Sequence, residues 1–161
     1  EITSQVFSIF LESRAGKFHN IADLGFGVSQ LLPVVVQLVT ATATSITIVE
    51  QPELHLNPKM QQSLADLFVE MASSNKRVLI ETHSEHLLLR LRSLIAMGKI
   101  SPADVALYFV EKHGTNSKVR EIEIDGLGRI EKEDWPKDFF ADKLKLALHL
   151  AAVQREALSS E

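Results

Sequence analysis

The stretch TIVEQPELHLNP, residues 47–58, decides how the rest of the chain is read. Thr47, Ile48 and Val49 are β-branched and run straight into Glu50. SITIVE, residues 45–50, therefore reads as a short strand of the kind buried on both faces of a parallel sheet. Gln51, Glu53 and His55 crowd in directly behind it. Asn57 followed by Pro58 has the pattern of a helix N-cap and its first residue. A buried strand that ends in polar, chelating groups usually ends at a site.

Working outward, Met60, Leu64, Leu67, Phe68 and Met71 recur at helical spacing, and ASSNK closes that helix. RVLIE, residues 77–81, is a second buried strand. Ser84 caps a further helix, EHLLLRLRSLIAM, which Gly98 stops. Strand, helix and strand between residues 46 and 81 have the length of a βαβ unit. Its right-handed crossover makes the two strands parallel, so Glu50 and Thr82-His83 fall at one carboxyl edge. Ligands of open α/β sheets bind at that edge.

Upstream, TSQVFSIFL (3–11) alternates, with Phe7, Ile9 and Leu11 on one face of a half-buried strand. RAGK forms a turn, and FHNIADL pairs back as a second strand. LGFGVSQLLPVVVQLVTA (24–41) combines two glycines with a long apolar run. Its valines favour strand, but its length and Pro33 favour a buried helix with the proline near the first turn. Downstream, VALYFVEK and KVREIEID flank HGTNS as a hairpin. Residues 125–140 are irregular, and Phe139 to Leu158 reads as an amphipathic helix. The expected fold is α/β: a parallel sheet core flanked by helices over residues 1–100, with a hairpin and C-terminal helix forming a peripheral extension over 101–161.

Composition narrows the classes. The chain has 161 residues, 45% apolar and 24% charged, enough for one domain with a real core. A net charge of −4 gives no overall footprint for nucleic acid, although a local basic patch remains compatible. Cysteine is absent, which removes disulfides and thiolate metal sites and suits a reducing cytoplasm. The longest apolar run, interrupted by Pro33 and Gln37, is too short to span a bilayer. The chain opens on Glu1 in mid-pattern and reads as a piece of a longer polypeptide.

Each candidate residue has two readings. A carboxylate at a strand end suits Mg²⁺ held largely through water and phosphate, which fits Glu50; a solvated terminal Glu is the plain alternative. His83 can donate a hydrogen bond to a terminal phosphate, or simply sit at a helix start. LGFGVSQ can offer backbone N–H groups and a helix N-terminus to an anion, or form a close-packed turn. His83 and His86 stand one residue short of the His-x-x-Glu-His zinc spacing, so a zinc hydrolase is disfavoured. No G-x-x-x-x-G-K-[ST] phosphate loop occurs: Gly16-Lys17 is followed by Phe18.

Read together, LGFGVSQLLP, ITIVEQPELHLNP and VLIETHSEHLLLRL resemble the C-terminal half of ABC-like predicted ATPases of the broad AAA group, including OLD-type and SMC-like ATPases. The resemblance spans roughly residues 20–100 and implies a P-loop NTPase fold that binds ATP with Mg²⁺. It implies that Glu50 is the Walker B residue serving Mg²⁺ and that His83 is the switch histidine at the γ-phosphate. Gln51 occupies the position of the catalytic Glu. Glutamine cannot take a proton, though it can orient water as in some GTPases, and Glu53 is the nearby carboxylate. Gly25, Gly27 and Ser29 fall in the signature-like loop, with Gly25 where the family carries Ser. DWPKDFFAD looks like a small C-terminal domain of unknown function that follows some of these ATPases. The family pattern further implies a homodimer driven by ATP, a phosphate loop supplied by an N-terminal half, hydrolysis only in the full-length protein, and a nucleic acid or effector protein as partner. The alternative is a nucleotide-gated binding or regulatory module with weak or no hydrolysis.

Overall fold

The computed structural model describes residues 8–131. Within them the chain divides by its contacts into two units, between Leu87 and Leu88.

The first unit is organised by two parallel strands. β3, Ile46–Glu50, pairs with β4, Arg77–Glu81, in the register Ile46↔Arg77 through Glu50↔Glu81. Ahead of them a short hairpin pairs β1, Phe10–Glu12, antiparallel with β2, Phe18–Asn20. The strand expected over 3–11 is thus described only at its end, and its first residues lie outside the described range. The expected second strand stops at Asn20, whose side chain accepts from the Ala22 N–H at 3.0 Å and starts a single 3₁₀ turn over Ile21–Asp23.

Helix α1 runs over Phe26–Thr40. The helix reading of the Val-rich run holds, but two details differ. Pro33 lies inside the helix rather than near its first turn, because Gly25 already serves as the N-cap in an extended conformation. Without a proline N–H, the Ser29 carbonyl loses its usual helical donor. Only Leu38 of α1 is fully buried, and Val36 and Val39 are open on the other side.

Helix α2, Pro58–Ser73, crosses between the strands. Asn57 caps it by accepting from the Met60 N–H at 3.0 Å, and Pro58 supplies the first turn. Its buried face is Leu64, Ala65, Phe68, Val69 and Met71. Asn75, at φ 59°, takes the left-handed conformation that ends the helix, and the Lys76 N–H then reaches the Met71 carbonyl at 3.1 Å. The same Lys76 sends its Nζ to the Leu38 and Val39 carbonyls at 2.9 and 2.7 Å. A cation thus satisfies the orphan carbonyls at the end of α1.

The two-strand sheet is half covered. Thr47 and Val49 are buried on one face, while Ile46, Ile48 and Leu79 lie more than half exposed on the other. The expectation of burial on both faces therefore fails for the described chain. Period-two geometry sends alternate side chains to opposite faces, and the described helices touching β3 and β4 leave the face of Ile46, Ile48 and Leu79 open. A two-stranded sheet has little independent stability without further strands or cover.

Helix α3, Glu85–Ala96, runs across the division between units. In the second unit it ends at Gly98, φ 68°, with the Gly98 and Lys99 N–H groups on the Ile95 and Leu94 carbonyls. β5, Leu107–His113, and β6, Asn116–Ile122, form the expected hairpin. Its turn is tighter than expected, since His113, Asn116 and Ser117 are ladder residues and Gly114, at φ 60°, lies in the connection. A following turn is held by Asp125, whose carboxylate accepts from the Leu127 and Arg129 N–H groups and the Arg129 guanidinium, each at 2.8 Å. Hydrogen bonds from Arg129, led by its backbone N–H, hold the Asp125 carboxyl below its ordinary value. The contribution of this turn is present above the usual carboxylate range and fades as pH falls through the lowered value. Gly128, at φ 69°, packs on the Arg92 backbone, and Arg92 Nε donates to the Gly128 carbonyl at 2.6 Å. The C-terminal helix expected over 139–158 lies outside the described residues.

Asn57→Ala removes the side-chain cap of α2 and should cost about 1 kcal/mol of stability, read from urea unfolding.

Candidate functional site at the carboxyl edge

Parallel pairing places Glu50 beside Glu81 at the carboxyl ends of β3 and β4, both exposed. The ladder continues one residue further, because the Gln51 N–H donates to the Glu81 carbonyl at 2.8 Å. There the chain turns away. Gln51 has φ 45° and His55 φ 60°, two left-handed non-glycine residues in the one loop between β3 and α2. Such conformations cost of order 1 kcal/mol or more each and persist only where the surroundings fix them. Here the Leu54 N–H donates to the Gln51 carbonyl and the Leu56 N–H to the Glu53 carbonyl, at 3.2 and 3.1 Å.

Glu53 is 7% exposed. Its Oε1 accepts the backbone N–H of His83 at 2.6 Å, tying the loop after β3 to the loop after β4. Its Oε2 is buried with no hydrogen-bond partner, a feature that costs stability unless a donor arrives. The residue read from sequence as a spare carboxylate for water is thus also a strut between the two loops. Its unsatisfied oxygen leaves capacity for one further donor.

His83 itself is exposed, while its neighbours are fixed. The Ser84 N–H donates to Thr82 Oγ1 at 3.0 Å. The buried Ser84 hydroxyl donates to Gln61 Oε1 at 2.7 Å and accepts from the Leu87 N–H at 3.0 Å, which caps α3 as expected. Gln61 Nε2 donates to the Leu56 carbonyl at 2.9 Å. Sequence reading gave Gln61 no part. Its only signal was a polar residue one turn after the N-cap of α2, on a helix whose other inward positions are apolar.

The three signature-loop residues have different surroundings. Gly25 is the N-cap of α1, with open space where a side chain would project. Ser29 is exposed in the same helix. Gly27 packs against the loop after β3: a Cβ there would lie 2.8 Å from the His55 carbonyl oxygen and 3.0 Å from Leu56 Cδ2. The Phe26 and His55 rings meet edge to face beside it, with centroids 5.1 Å apart. Gly27 is thereby required by its own chain, and His55 is a packing residue. The structure thus brings Glu50, Gln51, Glu53 and His83 to one edge, with the first turn of α1 against the same loop.

Among the described residues no group of three or more His, Asp or Glu could enclose a metal ion. An exposed Glu50 with Glu81 alongside suits Mg²⁺, which keeps several waters and takes its remaining ligands from substrate phosphates. It does not suit a closed zinc site.

Gly27→Ala should destabilise the protein by about 1–3 kcal/mol in denaturant unfolding, because backbone rather than a flexible side chain must give way. Gly25→Ala, in open space, should stay within about 1 kcal/mol.

Comparison with known proteins gives the family and the fold. The family described as "AAA domain, putative AbiEii toxin, Type IV TA system" matches residues 2–90, and "Protein of unknown function (DUF3696)" matches residues 100–150. A solved structure described as "Structural biochemistry of ATP-driven dimerization and DNA stimulated activation of SMC ATPases" aligns with a TM-score of 0.52 at 16% identity. The alignment covers 73% of this chain and 66% of that one, so the chain spans less than two thirds of that structure's length; at this identity the likeness is one of fold. No curated protein matches the chain. With more than half of its residues matched by the first family, the chain belongs to that AAA-domain family of ABC-like ATPases and carries part of a P-loop NTPase fold.

Proposed function

We propose that this chain is the Walker B, signature and switch half of an ATP-hydrolysing domain that dimerises on ATP. The observation that carries the reading is the joined carboxyl edge, where Glu50 ends β3, His83 lies in the loop just after β4, and Glu53 ties the two loops together. ATPases of this family bind ATP with Mg²⁺. Glu50 would hold the ion, which supplies charge neutralisation to the phosphates when bound. His83, anchored by its backbone and exposed by its side chain, reaches the terminal phosphate. Gln51 orients the attacking water at the end of β3. Glu53 Oε2, buried with no hydrogen-bond partner, would be an acceptor for a proton or a water hydrogen in the same loop.

Gly25, Gly27 and Ser29 would face the nucleotide of a second protomer at the first turn of α1, which has no side-chain cap and whose N-terminus attracts phosphate. Gly27 keeps that turn close to the loop after β3. The phosphate loop comes from a preceding segment of the full-length protein. Residues 1–100 form the ATPase part and 101–161 an extension, in the cytoplasm; among the described residues no helix is long and apolar enough to cross a membrane. The SMC ATPase of similar fold dimerises with ATP and is stimulated by DNA, which supports a homodimer with a nucleic acid partner here.

Gln51 favours one other reading. An amide where a carboxylate is expected fits a slow nucleotide-gated switch, and single-turnover hydrolysis by the full-length protein separates the two. In the enzyme reading, Glu50→Ala and His83→Ala each lower that rate about a hundredfold. Unchanged rates in both would sink it. The 161 residues alone should bind ATP more weakly than micromolar, and a submicromolar Kd by calorimetry would overturn the assignment of the phosphate loop to another segment.

A further inference from the structure

The loop carrying His83 is held at two points, and the second holder sits on α2. Glu53 takes the His83 N–H. One residue on, the Ser84 hydroxyl is held by Gln61, whose amide also grips the Leu56 carbonyl. We propose that Gln61 is a positioning residue for His83, coupling the loop after β3 to the switch loop. The inference rests on the ATPase reading and deepens it.

The chemistry demands this residue type. Leu56 presents an acceptor, and Ser84 presents a hydroxyl whose oxygen already accepts from the Leu87 N–H. The bridging group must donate to one and accept from the other, which a primary amide does and a carboxylate or thioether does not. The Ser84 side of the bridge is buried, so water competes poorly for it. The link to Leu56 spans 5 residues at the start of α2, and the link to Ser84 spans 23, so one side chain ties a local turn to a distant loop. Movement of the loop after β3 is therefore carried to Ser84 and to the first turn of α3. The imidazole of His83 itself stays exposed and unencumbered.

The test uses the full-length protein with Gln61→Met, which keeps the shape and removes both hydrogen bonds. The expected result is a fall in kcat of about tenfold with ATP affinity changed less than about twofold, as for a group acting after binding. Amide exchange over residues 83–87 should accelerate by about tenfold. Gln61→Glu keeps the acceptor for Ser84, loses the donor to Leu56 and should fall between; it carries both readouts if the Met variant does not fold. Unchanged exchange over 83–87, or equal losses in affinity and kcat, overturns the proposal. If the unaltered protein hydrolyses no ATP, the ATPase reading fails by itself, and the exchange measurement still decides whether Gln61 holds the switch loop.

Discussion

A buried carboxyl group bonded to a backbone amide holds the functional edge together. Glu53 and His83 are thirty residues apart in sequence, and each follows a different strand. Parallel pairing brings the strand ends side by side but leaves the loops beyond them free to diverge. The 2.6 Å bond from the His83 N–H to Glu53 Oε1 removes that freedom. The left-handed turns at Gln51 and His55 bend the loop that carries Glu53 back over the edge. The first turn of α1 then closes on the same loop through Gly27, where any side chain would collide.

Two features of this edge cost stability. Glu53 has one oxygen buried without a donor, and Gln51 adopts a backbone conformation that glycine would take more easily. A sequence selected only for stability would avoid both. Among the described residues, Ile46, Ile48 and Leu79 also form an open apolar face on a two-stranded sheet, which has little stability of its own. These features concentrate at the strand ends and on the uncovered face. The helices and the hairpin follow ordinary rules of capping and pairing.

Much of the arrangement was legible in residue order. Asn57-Pro58, Ser84 and Gly98 mark helix ends by local chemistry, and each does so in the structure. The βαβ spacing by itself puts Glu50 and His83 at one edge. The errors were also physical. Pro33 was assigned to a first turn because helix starts favour proline, yet Gly25 could begin the helix earlier. The strand 45–50 was read as doubly buried because β-branched runs usually are, yet cover on the second face is a property of neighbours. Of the two readings of the loop around Gly27, a close-packed turn is what the Cβ geometry describes there, since the chain's own His55 and Leu56 fill the space.

The sequence by itself determined the parallel pair and the helix boundaries around it, because capping, periodicity and crossover handedness act over a few residues or one unit; its motifs carried the resemblance to the family. Only the tertiary structure decided that Glu53 is a strut as well as an acid, that Gln61 bridges two loops and that Gly27 is a contact glycine. Those roles depend on which polar groups and packing surfaces meet across 23 to 30 residues. A buried donor or acceptor must be matched wherever the fold brings it, and no local pattern records where that is.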